Sequence, residues 1–127
     1  MVKKMFPVLA AALMLAGCTS TRITNLTASR AYRSPDNLYP VEASLASQQQ
    51  SLRWETIQPV VIVDNQPYPM RRTQLMTNRW ETLISIPPGK NTVSYKFKFD
   101  YKFNTFGEPP KGDSKMSSTY KLQVLEK

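Results

Sequence analysis

Val93, Tyr95, Phe97, Phe99, Tyr101 and Phe103 occupy every second position of one stretch, and Ser94, Lys96, Lys98, Asp100, Lys102 and Asn104 fill the places between. Period two puts successive side chains on opposite faces of a strand. One face is apolar and aromatic, and the other is polar and mostly basic. Eleven residues at about 3.3 Å each give a strand of roughly 36 Å, long enough to overhang an ordinary sheet.

Weaker alternation recurs along the chain. Arg22–Thr27 is anchored by Ile23 and Leu26, and Tyr39–Ala46 carries Val41, Ala43 and Leu45 on one face. In Leu52–Val63, Pro59 predicts an edge or a bulge. The run Val60–Val63 predicts a strand covered on both faces. Tyr68–Arg71 reads as a short edge strand. Arg79–Ile86 sets Trp80, Thr82, Ile84 and Ile86 against Glu81, Leu83 and Ser85, and Met116–Leu125 closes the series with Tyr120, Leu122 and Val124 on one face. Turn signals separate these runs at Ser34-Pro35-Asp36-Asn37, Asp64-Asn65-Gln66-Pro67 and Pro87-Pro88-Gly89-Lys90. Ser29–Asn37 reads as a loop, and Asn104–Ser114, with its Gly and Pro residues, as the longest loop and a mobile one. About seven antiparallel strands joined by turns fit an immunoglobulin-like β-sandwich over residues 22–127, with a small barrel as the alternative. There is no Cys-Trp-Cys pattern of the antibody type.

The first residues differ. Lys3 and Lys4 precede a continuous apolar run, Phe6–Leu15, with the n-region and h-region of an export signal. That run is shorter than the ~20 residues needed to span a bilayer. Leu15-Ala16-Gly17-Cys18 follows it and resembles the lipobox of bacterial lipoproteins. The resemblance implies cleavage of residues 1–17, recognition of Leu15, Ala16 and Gly17 by the lipoprotein peptidase, and acylation of Cys18. Residues 18–21 then form a short tether. Thr19 stands where lipoproteins kept in the inner membrane tend to carry Asp, which implies the outer membrane.

Removing Lys3 and Lys4 with the signal takes the formal charge from +8 to +6. A basic surface suits anionic partners: lipid headgroups, lipopolysaccharide, an anionic glycan or an acidic protein patch. Nucleic acid is a poor partner for an exported, lipid-anchored chain. The chain has no His, so Ser-His-Asp and Cys-His arrangements and the commonest zinc ligand are excluded. Its one Cys is Cys18, so no disulfide forms within the monomer. Asp36, Glu42, Glu55, Asp64, Glu81, Asp100, Glu108 and Asp113 are scattered, with no spacing that pairs them. No phosphate loop, metal-spaced cluster or cofactor motif is present.

Trp80–Lys90 followed by Tyr95-Lys96-Phe97 resembles the hairpin of early-set immunoglobulin-like modules, among them the glycogen- and starch-binding modules. The resemblance implies the fold. The stacking residues that precede this hairpin in the sugar-binding modules are replaced by Val63–Met70, so no sugar site is carried over.

Two candidate surfaces follow from the long strand. Lys96, Lys98 and Lys102 form a basic face, to which Arg71, Arg72 and Arg79 are candidates to add. Tyr101, Phe103 and Phe106 form an aromatic tip suited to a protein partner. The expected protein is a non-enzymatic, lipid-anchored accessory subunit of an envelope assembly; the alternative is a carbohydrate- or lipopolysaccharide-binding module.

Overall fold

The computed structural model describes residues 21–126, so the signal-peptide and lipobox readings at residues 1–18 lie outside the described residues. Within them the alternating runs are strands and no helix occurs. In chain order they are β1 (Thr21–Asn25), β2 (Arg30–Tyr32), β3 (Leu38–Ser47), β4 (Leu52–Val63), β5 (Gln66–Pro69), β6 (Arg71–Arg72), β7 (Arg79–Ser85), β8 (Thr92–Thr105), β9 (Glu108–Met116) and β10 (Tyr120–Leu125). One sheet has the order β1-β3-β7-β6, and the other β2-β10-β8-β4-β5, with β9 also paired to β8. The first edge is split: β1 pairs β3 antiparallel, then the chain crosses to the other sheet, where β2 runs parallel to β10. This is the strand order of an immunoglobulin-like sandwich, ABED on one sheet and CFG on the other.

The core forms because both sheets turn their inward alternates together. Val41, Ala43, Leu45, Trp80 and Ile84 meet Val61, Val63, Val93, Tyr95, Phe97, Phe99, Leu122 and Val124, and no polar or charged residue is buried among the described residues. The Trp80 ring stands edge-on to Phe99, with centroids 5.4 Å apart. The phenol of Tyr39 accepts from the Ser34 N–H at 2.9 Å, and that of Tyr95 accepts from Asn25 Nδ2 at 2.9 Å. Among the described residues the core runs from Tyr39 to Val124, and both sheets pair within residues 21–126.

The structure departs from the sequence reading at six places; one is the expected strand Met116–Leu125, of which Met116 ends β9 and only Tyr120–Leu125 forms β10. Ser29–Asn37 contains β2, a three-residue strand too short to show a period. Asn104–Ser114 is not a loop: Phe106-Gly107 turns the chain and β9 pairs β8 from Thr105↔Glu108 up to Lys98↔Met116. Tyr68–Arg71 is two strands in different sheets, joined at buried Met70, whose N–H donates to the Pro59 carbonyl at 3.0 Å. The expected bulge lies before Pro59, where β4 slips register between Arg53 and Gln58. Thr56 patches this gap, donating to the Arg53 carbonyl at 2.6 Å and accepting the Lys102 N–H at 2.9 Å. Finally, Val60–Val63 is covered on one face only. Val61 and Val63 are buried, whereas Val60 and Ile62 are half-buried opposite Lys98 and Lys96.

β9 and β10 together occupy one flank of β8, interrupted at Ser117–Thr119. Ser117 bridges the break. Its N–H donates to the Phe97 carbonyl at 2.9 Å, and its hydroxyl accepts the Phe97 N–H at 2.8 Å. A side chain thus takes the place of a ladder carbonyl.

Candidate functional site

Register fixes which segments share an end of the sandwich. Thr21 lies opposite Ser47, Ser44 opposite Arg79, Leu52 opposite Phe103, and Thr105 opposite Glu108. The entry to β1, the 48–51 loop, the 73–78 loop and the Phe106-Gly107 turn are therefore all at one end. The Asp36, Asp64 and Gly89 turns lie at the other.

The aromatic tip resolves into three environments. Tyr101 is 5 % exposed and belongs to the core. Phe103 is half-buried at the rim, opposite Leu52. Phe106 is fully exposed. It sits in a two-residue turn whose positive φ is taken by Gly107 (φ 72°), the residue type that adopts it without strain. Behind it, all nine residues of β9 are exposed, so β8 and β9 form an arm flanking the sandwich.

Lys96, Lys98 and Lys102 do share the outer face of β8, with Asp100 between the last two; Lys98 Nζ lies 3.8 Å from the Asp100 carboxylate. Arg71, Arg72 and Arg79 do not join them, because β6 and β7 belong to the other sheet. The Arg72 guanidinium instead lies 5.1 Å above the Trp80 ring and donates to the Trp54 carbonyl at 2.9 Å. It lines a cleft of about 480 Å³ with Glu55, Ile57, Pro59, Met70 and Trp80. An open depression of about 630 Å³ lies on the arm, between Thr56, Gln58, Asp100, Lys102, Asp113 and Ser114. The scattered acids gain one direct register pair, Glu42 opposite Glu81 on the first sheet. No group of three metal-ligating side chains occurs among the described residues.

Ion pairs form at both ends. At the far end Arg33 pairs with Glu126 and Lys90 with Asp64, while Asp36 accepts the Ser34 hydroxyl. The Ser34 bond holds the Asp36 carboxyl below the ordinary carboxylate range, and the Lys90 bond does the same for Asp64. At the β1 end Arg53 pairs with Glu55 and Lys111 with Glu108. Arg22, Arg79 and Lys102 at that end have no carboxylate partner among the described residues.

Sequence reasoning missed Leu75. It is 97 % exposed and holds φ at +65° in the Thr73–Met76 turn, closed by the Met76 N–H on the Thr73 carbonyl at 3.1 Å. The available signal was the apolar pair Leu75-Met76 inside an otherwise polar segment, Thr73–Asn78. Comparison of the chain with protein-family models, with curated proteins and with solved structures returned no match.

Proposed function

We propose that this chain is a bacterial lipoprotein, anchored in the outer membrane by acylated Cys18. In this reading its sandwich serves as a non-enzymatic accessory subunit of a larger envelope assembly. The observation that carries the docking part is the β8–β9 arm. Nine consecutive residues stay exposed while keeping strand register, so the arm adds surface without adding to the core.

The edges favour the arm over its alternative. Val63 and Gln66 close a two-residue turn in which Asp64 and Asn65 both hold positive φ, the I′ geometry of tight hairpins. In that register the N–H of residues 67 and 69 would point outward from β5. Both are Pro, so this edge offers no donor to an added strand. The flank of β9, with the basic face of Lys98 and Lys102 beside half-exposed Met116, is the open surface. A glycan- or lipopolysaccharide-binding reading draws on the polar depression beside Lys102, but the ring at that place, Tyr101, is turned into the core.

Two measurements test this reading. Cys18→Ala should abolish labelling by a palmitate analogue and leave the precursor uncut; unchanged labelling removes the anchor. A photo-crosslinking residue at position 102, 111 or 114 should capture one envelope protein, and the same residue at 83 or 85 on the opposite sheet should not. Equal capture from both sheets, or co-purified glycan in place of protein, would reject docking through the arm.

A further inference from the structure

We propose that the end of the sandwich carrying Leu75 and Phe106 rests on the bilayer. These two side chains enter the headgroup region, and Arg22 and Arg79 meet anionic lipid phosphates. The proposal rests on the lipid-anchor reading and adds to it an orientation and a second, protein-borne contact.

Four observations converge on this end. The two most exposed large apolar side chains of the described residues, Leu75 and Phe106, come from loops of different sheets and reach the same end. An apolar side chain held wholly in water contributes nothing to the core, whereas it gains from burial at a lipid surface. Leu75 is also placed against its backbone preference. It occupies the third position of a turn at φ +65°, where Gly or Asn is favoured and a branched apolar residue is a true outlier. The fold would be served better by Gly there, so the leucine answers to something outside the fold.

The ions point the same way. Arg22 and Arg79 at this end have no carboxylate partner among the described residues and are open to an external anion. Basic residues next to an anionic leaflet each add attraction that fades within a Debye length. The chain also enters the fold here. β1 begins at Thr21, three residues past Cys18. A fully extended segment of that length spans only about 10 Å, so an acylated Cys18 holds this end, and not the opposite one, at the membrane. The β9 flank and the face of Lys98 remain to the side, open to the protein partner.

The test uses the acylated chain in vesicles of phosphatidylethanolamine with a minority of phosphatidylglycerol. Cys18 is the only cysteine and is blocked by acylation, so Leu75→Cys, Phe106→Cys and Asn65→Cys each accept a single nitroxide. The labels at 75 and 106 should be shielded from a water-soluble nickel chelate and open to oxygen, and the label at 65 should remain water-like. If 75 and 106 are as open to nickel as 65, the proposal is overturned. A second measurement does not depend on acylation. The unacylated mature chain, residues 18–127 with Cys18→Ser, should sediment with phosphatidylglycerol-rich vesicles in low salt. Leu75→Ser with Phe106→Ser should weaken that binding several-fold while leaving the unfolding curve intact. Undiminished binding by the double variant, or no binding by the parent, would also overturn it. Failure of palmitate labelling with these results intact would remove the anchor alone.

Discussion

Leu75→Gly should make the protein more stable, contrary to the usual effect of placing glycine in a chain. The Leu75 side chain is 97 % exposed. Its loss therefore forfeits less than about 0.1 kcal/mol of the roughly 1.5–3 kcal/mol that full burial of a leucine is worth. Its backbone lies at φ +65°, in the left-handed region, where a residue with a Cβ costs about 1–2 kcal/mol. Glycine removes that strain but gives the unfolded chain more freedom, which costs about 0.5–1 kcal/mol. The difference spans about 0–1.5 kcal/mol, and its midpoint is a gain of about 0.75 kcal/mol, or about 2–6 °C in Tm for a domain of this size. Urea unfolding followed by the fluorescence of Trp54 and Trp80 measures it, with the midpoint raised and the slope unchanged. Leu75→Ala is the control. It deletes the exposed carbons and keeps the Cβ, so it should be nearly neutral. Destabilisation by glycine, or an equal gain from alanine, would refute the argument, because the first means that the side chain packs and the second that backbone strain is not the cause.

The other predictions concern the core, its ladder and the far end. Phe97→Ala removes a fully buried ring that lies 5.7 Å from Tyr95 and 6.2 Å from Tyr120, and should cost about 3–5 kcal/mol in urea unfolding. A loss near zero would put the aromatic face outside. Ser117→Ala leaves the Phe97 N–H without its 2.8 Å acceptor and should cost about 1–3 kcal/mol; amide exchange at Phe97 should quicken selectively, and unchanged protection there would contradict the bridging role. The Lys90 bond lowers the folded pKa of Asp64, so its contribution is present above the unfolded value of about 3.9 and is lost as pH falls through the folded one. Asp64→Asn should therefore flatten stability against pH below about 4 and leave it unchanged in shape at neutral pH. Both partners are well exposed, so high salt should shrink the difference.

What was legible in the sequence follows from where each strand gets its order. β8 was plain because its own alternation is dictated by a buried face, and the inward set Val93 to Phe99 is indeed buried. The inward faces of β3 and β7 were legible for the same reason. β9 was not, because Pro109, Pro110 and Gly112 are poor strand formers and none of its side chains is buried. Its order comes from β8, whose open flank supplies the pairing groups. β2 is likewise made by β10. The division of residues 66–72 between two sheets turns on Met70, whose burial no local pattern announces. At the site, Phe106 could be named because the alternating strand is long enough to overhang the sheet and carry its far rings out of the core. The Arg71, Arg72 and Arg79 grouping with the lysines failed because nearness in sequence says nothing about which sheet a strand joins. The shared end of Phe106, Leu75 and the β1 entry is a property of topology alone.

That topology separates what the fold needs from what it carries. The inward faces are filled by Tyr101 and Leu52 at the β1 end, and the remaining stretch of chain, Lys102 to Met116, holds no fully buried side chain. A sandwich needing only to close its core would turn from β8 to β10 a few residues past Tyr101. Keeping a longer exposed ribbon costs conformational entropy on folding, about 1–2 kcal/mol per ordered residue, against hydrogen bonds of modest net worth. The 73–78 loop repeats the pattern with a strained, exposed leucine. β5, by contrast, has the surface of an edge built to stay alone, with Pro67 and Pro69 at its outward positions. Selection for folding alone explains the guarded β5 edge and leaves the arm and Leu75 unexplained. Contact with something outside the chain would explain both, and under the proposed lipid anchor their common end, beside the start of β1, is the end that would face the membrane.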